Sequence, residues 1–399
     1  MNLVSPESVG LSSARLERIR PVMQRYVDRQ LFAGMVTLIA RRGQVAHLEA
    51  CGWQTLETRT PMTPDTLFRI YSMTKPITSV AVMMLAETGQ LRLADPVTRY
   101  IPAFKDTPVM VARGAGGAAG YDLVPARRPI TLHDLLTHTA GLSYGFDLHS
   151  ALDDLYRQSI GRMLQDPALS LEKWVLALSQ LPLAFHPGTG FNYSMAIDVL
   201  GYIVQLAAEQ PFDAFLREKI CGPLGMVDTD FWVPPEKAHR LAEIYGPAEG
   251  GGLKPAGTPD GRRHTEPALA PSGGGGLVST IGDYFRFGQM LLNGGELEGT
   301  RLLGRKTVEW MLQNHLPPGV HPDGDPARGF GLGGSVLLHP GLSHRPGSAG
   351  KFGWGGAANT EWWIDPAEAL QCLLMVQYMP GFTLPLVEDF AQLAYQALA

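Results

Sequence analysis

Leu67-Phe68-Arg69-Ile70-Tyr71-Ser72-Met73-Thr74-Lys75-Pro76 is the stretch whose reading decides the fold. Leu67 to Ile70 are strand-like. From Ser72 to about Gly89 the pattern turns helical, with Ile77, Val80, Val82, Met83 and Leu85 as its apolar positions. Proline is tolerated in the first turn of a helix but not in its interior, so Pro76 fixes the helix start close to Ser72. A spacing of three then sets Ser72 and Lys75 on one helical face. A serine hydroxyl is a weak nucleophile and needs a base, and a lysine serves once burial lets it shed its proton. The positive end of the helix faces charge developing on a substrate oxygen. Taken alone the Ser-x-x-Lys spacing is weak, because a serine at a helix start is more often only a cap.

Working outward, the segment from Ser12 to Arg29 has Leu16, Ile19, Met23, Tyr26 and Val27 at helical spacing, with Pro21 expected to kink it. Strands are expected over 35–41 and 44–50, with Arg42-Gly43 as a hairpin turn. Residues 114–120 read as a surface loop. Thr131 opens a short helix with Asp134 placed for a capping box. Helices follow near 151–165, 171–180 and 195–209, then a Gly- and Pro-rich connection over 247–275. A helix near 281–292, strands near 331–338, 351–364 and 370–378, and a helix from Leu386 complete the chain. Strands at both ends and helices between them imply an α/β (α+β) fold. Its α/β domain is built from 1–66 and 247–399, and a mainly helical domain over 67–246 is inserted in it, with the active site at the interface.

Composition narrows the class. Across 399 residues, 45% hydrophobic and 18% charged is the profile of a globular protein. A net charge of −5 without a basic cluster argues against a nucleic-acid partner. No apolar run reaches the length of a membrane span, and the N-terminus lacks the pattern of a secretory signal. Cys51, Cys221 and Cys372 form no CxxC pair and point to a reducing cytoplasm. No metal is expected, since HExxH is missing and His133 and His138 are off the one-face helical spacing.

The decapeptide resembles the serine β-lactamase and penicillin-binding-protein superfamily, whose SxxK sequence opens a helix in this way. It is most similar to the class C β-lactamase-like carboxylesterases, the family VIII esterases. The resemblance continues, in order, through Arg128 to Leu142, Pro187-Gly188, Phe191-Asn192-Tyr193-Ser194, Gly275 to Thr280 and Trp354-Gly355-Gly356, and so covers almost the whole chain. It implies a β-lactamase-like fold, an antiparallel sheet flanked by helices. It implies Ser72 as nucleophile, Lys75 and Tyr193 as acid/base partners, and the N–H groups of Ser72 and Ala357 as the oxyanion hole. No cofactor is implied.

Two departures from the lactamase pattern bear on substrate. Met195 stands where lactamases carry an asparagine, and Trp354 stands where they carry the lysine of Lys-Thr-Gly. Both favour a short, neutral ester over a β-lactam. Gly355 and Gly356 would let the strand backbone approach the substrate. Tyr144 and Phe146 join Trp354, Met195 and the two glycines as expected pocket residues, with Phe352, Trp362 and Trp363 as further aromatics nearby. Alternation should turn one of Trp362 and Trp363 into the core.

Two other sequences imitate known sites. Gly141-Leu142-Ser143-Tyr144-Gly145 fits GxSxG but follows a helix, whereas a nucleophile elbow follows a strand. Gly329 to Gly334 fits GxGxxG but leads into a strand-like run, which argues against a nucleotide. Competing functions are an acyltransferase, an amide, β-lactam or D-peptide hydrolase using the same serine, and a non-catalytic binding protein on the same scaffold.

Overall fold

A computed structural model describes residues 2–114, 120–258 and 261–399. Most of the loop expected at 114–120 lies outside the described residues. The central feature is an eight-stranded antiparallel sheet. Three strands come from the N-terminal part: β1 (Gly34–Arg41), β2 (Gln44–Thr55) and β3 (Thr60–Pro61). Five come from the C-terminal part: β4 (Arg328–Phe330), β5 (Ser335–Leu337), β6 (Phe352–Gly356), β7 (Thr360–Asp365) and β8 (Leu370–Val376). Their spatial order is β4-β5-β6-β7-β8-β1-β2-β3, so the two ends of the chain meet at the β8–β1 pair, where Leu38 opposes Leu373.

The expected 35–50 hairpin forms. Arg42 and Gly43 both take positive φ, 52° and 77°, the turn geometry that matches strand twist. The run near 331–338 is not one strand. β4 and β5 form a hairpin through Gly331 to Gly334, and the Gly331 N–H donates to the Gly334 carbonyl at 2.8 Å.

Helices cover both faces of the sheet. On one face lie α1 (Ser13–Leu16), α2 (Ile19–Asp28) and the last helix, Leu386–Tyr395. The expected single helix over 12–29 is two, which puts Pro21 in the first turn of α2, where its missing N–H costs nothing. Met35, Ile39, Cys372 and Leu374 point into this layer with Ile19, Met23 and Phe390. The alternate residues Val36, Leu38, Leu373 and Met375 point the other way, into a larger core shared with α3 (Thr74–Glu87), α4 (Leu132–Leu136), α5 (Ala151–Met163), α6 (Leu171–Ser179), α7 (Ala196–Ala208) and α8 (Ile281–Leu292).

Because both faces are covered, both tryptophans of β7 are buried. Trp362 is 0% exposed in the larger core and Trp363 is 4% exposed in the smaller one, so alternation sends each to a core. Phe352 is core as well. α3 is buried nearly throughout, its apolar residues interspersed with the buried polar residues Thr74, Lys75, Thr78 and Ser79. Each fully buried Ile or Val along it contributes roughly 1.5–3 kcal/mol.

Candidate active site

Ser72 sits in a single 3-10 turn, Tyr71–Met73, that runs directly into α3. Tyr71 has φ 42°, a left-handed conformation that costs a non-glycine residue about 1–3 kcal/mol and clusters at functional sites. The turn is pinned from several sides. The Ile70 N–H donates to the Leu277 carbonyl at 3.0 Å, and the Tyr284 hydroxyl donates to the Met73 carbonyl at 2.7 Å. The end of β6 presses on the same segment: a Cβ on Gly356 would lie 2.3 Å from the Ile70 carbonyl oxygen. Gly356 therefore serves close contact with the backbone that leads into Ser72. Ala357 follows as an exposed turn residue beside that segment.

Lys75, one helical turn on, is 0% exposed. Its ammonium donates to Ser72 Oγ at 3.2 Å, to the Tyr144 hydroxyl at 2.9 Å and to the Gly274 carbonyl at 2.6 Å. All three donors are thus used, as a buried ammonium requires.

Tyr193 is placed by the loop ahead of α7, which is tied to the loop behind α4. The Asn192 side chain donates to the Leu142 carbonyl at 2.8 Å, and its N–H donates to the His138 carbonyl at 2.9 Å. The Ser194 N–H donates to His138 Nδ1 at 3.2 Å. The His138 ring is buried. Burial first, and then the charge of Lys75, lower it well below the ordinary histidine range and keep it neutral. Lys75 Nζ stands over the Tyr193 ring, 4.6 Å from its centroid, and the Trp354 indole N–H donates to the Tyr193 hydroxyl at 3.0 Å.

The expected residues therefore converge, with changed parts. Trp354 does more than offer an apolar face, since its N–H is spent on Tyr193. Tyr144, expected as a pocket wall, stacks on exposed Phe146 with ring centroids 4.9 Å apart, while its hydroxyl lies on Lys75. Burial, then Asp198 and Tyr193, push the Tyr144 phenol well above its ordinary value, so it stays protonated. Gly355 lies in β6, where an added Cβ would meet the Glu361 carboxylate and the Phe382 ring. Met195 is corrected: it is 2% exposed and packs in the larger core, so it stands behind the site.

Sequence reasoning missed Asp198 and Gly274. The two decoy sequences lie in a loop and a hairpin. Ser143 Oγ donates to Asp153 at 2.6 Å and accepts from the Gly145 N–H at 3.1 Å, a loop-bracing role. The Gly329–Gly334 run is the β4–β5 hairpin. Among the described residues no group of His, Cys, Asp or Glu is arranged to hold a metal, and no helix is long and apolar enough to cross a membrane.

A serine at a helix start, a buried lysine on its hydroxyl and tyrosines around both lie together on an antiparallel sheet with helices on its faces. Comparison with known proteins gives the family. The Beta-lactamase family profile matches residues 19–396. Protein Rv1367c of Mycobacterium tuberculosis is 38% identical over 368 residues, covering 89% of this chain and 88% of that protein. Esterase EstB of Burkholderia gladioli is 32% identical over 391 residues, covering 93% of each. The solved structure of EstCE1, described as a hydrolase with promiscuous acyltransferase activity, superposes with a TM-score of 0.82 at 30% identity, covering 96% of this chain and 99% of that one. The chain belongs to the Beta-lactamase family and is an enzyme of the serine β-lactamase-like hydrolase superfamily.

Proposed function

We propose that this enzyme is a family VIII-type serine esterase that hydrolyses short-chain, neutral carboxylic esters through an acyl-enzyme on Ser72. The observation that carries the reading is the Lys75 ammonium, held at once by Ser72 Oγ and the Tyr144 hydroxyl, with its charge over the Tyr193 ring. Ser72 Oγ attacks the ester carbonyl carbon, and its proton passes to the Lys75–Tyr193 pair, which has first given up one proton to solvent. The N–H groups of Ser72 and Ala357 hold the oxyanion. The carbon–oxygen bond to the alcohol breaks, and the alkoxide leaves with the proton that the pair received. Water then attacks the acyl-enzyme by the same route and restores Ser72.

The substrate class rests on Trp354. Its indole occupies the place of a lactamase lysine, so no cation is offered there to a β-lactam carboxylate, and its one donor is engaged by Tyr193. The name of EstB supports an esterase. The three free cysteines accord with a cytoplasmic location. p-Nitrophenyl esters of graded chain length, compared with nitrocefin, test the reading. Short acyl esters are expected to be turned over far faster, and comparable kcat/KM for nitrocefin would overturn it.

A second reading, acyl transfer to an alcohol, is favoured by Phe146. It is 70% exposed, stacks on Tyr144 and gives an apolar alcohol a surface beside the site. EstCE1 is described with both activities. Product analysis with and without an added apolar alcohol separates transfer from hydrolysis.

A further inference from the structure

Lys75 makes its shortest bond, 2.6 Å, to the Gly274 carbonyl. The N–H of the same glycine donates to Asp198 Oδ1 at 3.1 Å, and Ser272 Oγ donates to that oxygen too. Asp198 lies in the first turn of α7, five residues after Tyr193, and is 2% exposed. A Cβ on Gly274 would lie 2.5 Å from Asp198 Oδ2 and 2.9 Å from the Tyr144 hydroxyl. Carboxylate, phenol and ammonium thus surround one bare glycine. A loop brace needs only an acceptor for Ser272 and Gly274, and a neutral amide would supply it. The buried carboxylate adds a negative charge beside the group that Ser72 relies on.

We propose that Asp198 is a positioning residue of the hydrolytic site: through Gly274 it holds the Lys75 ammonium within reach of Ser72, and its charge sets the pH range in which the proton of Ser72 is accepted. The proposal rests on the reading of Ser72 as nucleophile and Lys75 as its partner. A carboxylate this close favours the cationic form of an amine and the neutral form of a phenol. Burial raises the Asp198 carboxyl above its ordinary range, while Ser272, Lys75 and the Gly274 N–H act in the opposite sense.

The titratable groups on the surrounding elements are few. Lys75 comes from α3, Tyr144 from the loop behind α4, and Tyr193 from the loop ahead of α7. His138 is held neutral beside Tyr193. Glu172 on α6 addresses Tyr202, one turn further along α7, and Asp213 beyond α7 pairs with Arg217. Lys75 and Tyr144 are therefore the groups through which a change at Asp198 reaches Ser72.

The test is the pH dependence of kcat/KM for p-nitrophenyl butyrate, with circular dichroism as the folding control. Asp198→Asn keeps shape and acceptor and removes only the charge. Its acid limb is expected to move to lower pH by about one unit, because the base no longer holds its proton as tightly. Should Asn fail to fold, Asp198→Ser, a smaller neutral acceptor, is read in the same way. A folded neutral variant with the wild-type limb would show that Asp198 only braces the 272–274 segment, and the proposal would fall. Ser72→Ala runs alongside. If it is inactive while the limb is unshifted, only the role of Asp198 fails. If Ser72→Ala keeps activity, the nucleophile reading fails and takes this proposal with it.

Discussion

The Trp354 indole N–H donates to the Tyr193 hydroxyl at 3.0 Å. That bond leaves the phenol oxygen supported by a neutral donor at the position where lactamases present a lysine. It also fixes the ring under Lys75 Nζ, and so ties the strand β6 to Tyr193 and Lys75.

Trp354→Phe keeps an apolar ring and removes the donor. A hydrogen bond of about 0.5–1.5 kcal/mol would be lost, which corresponds to a fall in kcat of roughly up to tenfold. KM for a short ester should change less than kcat, since the lost contact is to Tyr193. Steady-state kinetics on p-nitrophenyl butyrate decides this, and a loss confined to KM would assign Trp354 to substrate binding alone.

The two tyrosines should separate by magnitude. Tyr193→Phe is expected to cost on the order of a hundredfold or more in kcat, as the removal of a general acid/base does. Tyr144→Phe removes one acceptor from Lys75 and leaves Ser72 Oγ and the Gly274 carbonyl, so a smaller loss is expected. Lys75→Arg keeps the charge but cannot deprotonate, and should be nearly as damaging as Lys75→Ala. A folded Lys75→Arg enzyme at wild-type kcat would make lysine a fixed cation only.

The two serines test the nucleophile against the decoy. Ser72→Ala should abolish turnover and labelling by a fluorophosphonate with the fold intact. Ser143→Ala should retain most activity but lose about 1–3 kcal/mol of stability, because the buried Asp153 carboxylate loses a donor. Labelling mapped to Ser143 would reverse the assignment.

Acid should weaken the fold through its histidines. Burial lowers His47 to about 4 and His264 to about 3, and burial is also the largest cause lowering His133, His138 and His315. The unfolded chain, with histidines near 6.5, then binds more protons than the folded one. Stability is retained above that pH and falls as the pH drops through 6.5 toward 4. Urea unfolding at pH 7 and pH 5 measures the fall. His47→Gln should remove part of the slope, and an unchanged slope would exclude His47 as a contributor.

How much of this was legible in sequence depends on how local each signal is. Pro76 and the apolar pattern behind it located the helix start, and Arg42-Gly43 located a hairpin, because each depends on a few neighbouring residues. Thr131 and Asp134 likewise form the expected capping box. Tyr144 was legible only as an aromatic near a pocket, since the loop that turns its hydroxyl onto Lys75 is shaped by contacts with residues some fifty positions away, such as Asn192 to Leu142. Asp198 was not legible at all. On a helix it looks like one more solvated carboxylate, whereas it is buried and accepts from Ser272 and Gly274, some seventy-five positions away.

The β1–β8 pairing joins residues 35–41 to residues 370–376, which are more than three hundred positions apart. During synthesis the first strands and the whole Ser72 helix leave the ribosome long before β6, β7 and β8 exist. Until then the edge of β1 is an unpaired strand, and Trp354 is not there to meet Tyr193. Closing such a span is slow, and an open apolar edge invites pairing with other chains in the interval. The yield of active enzyme in a cell should therefore respond to chaperone supply more than its final stability would suggest.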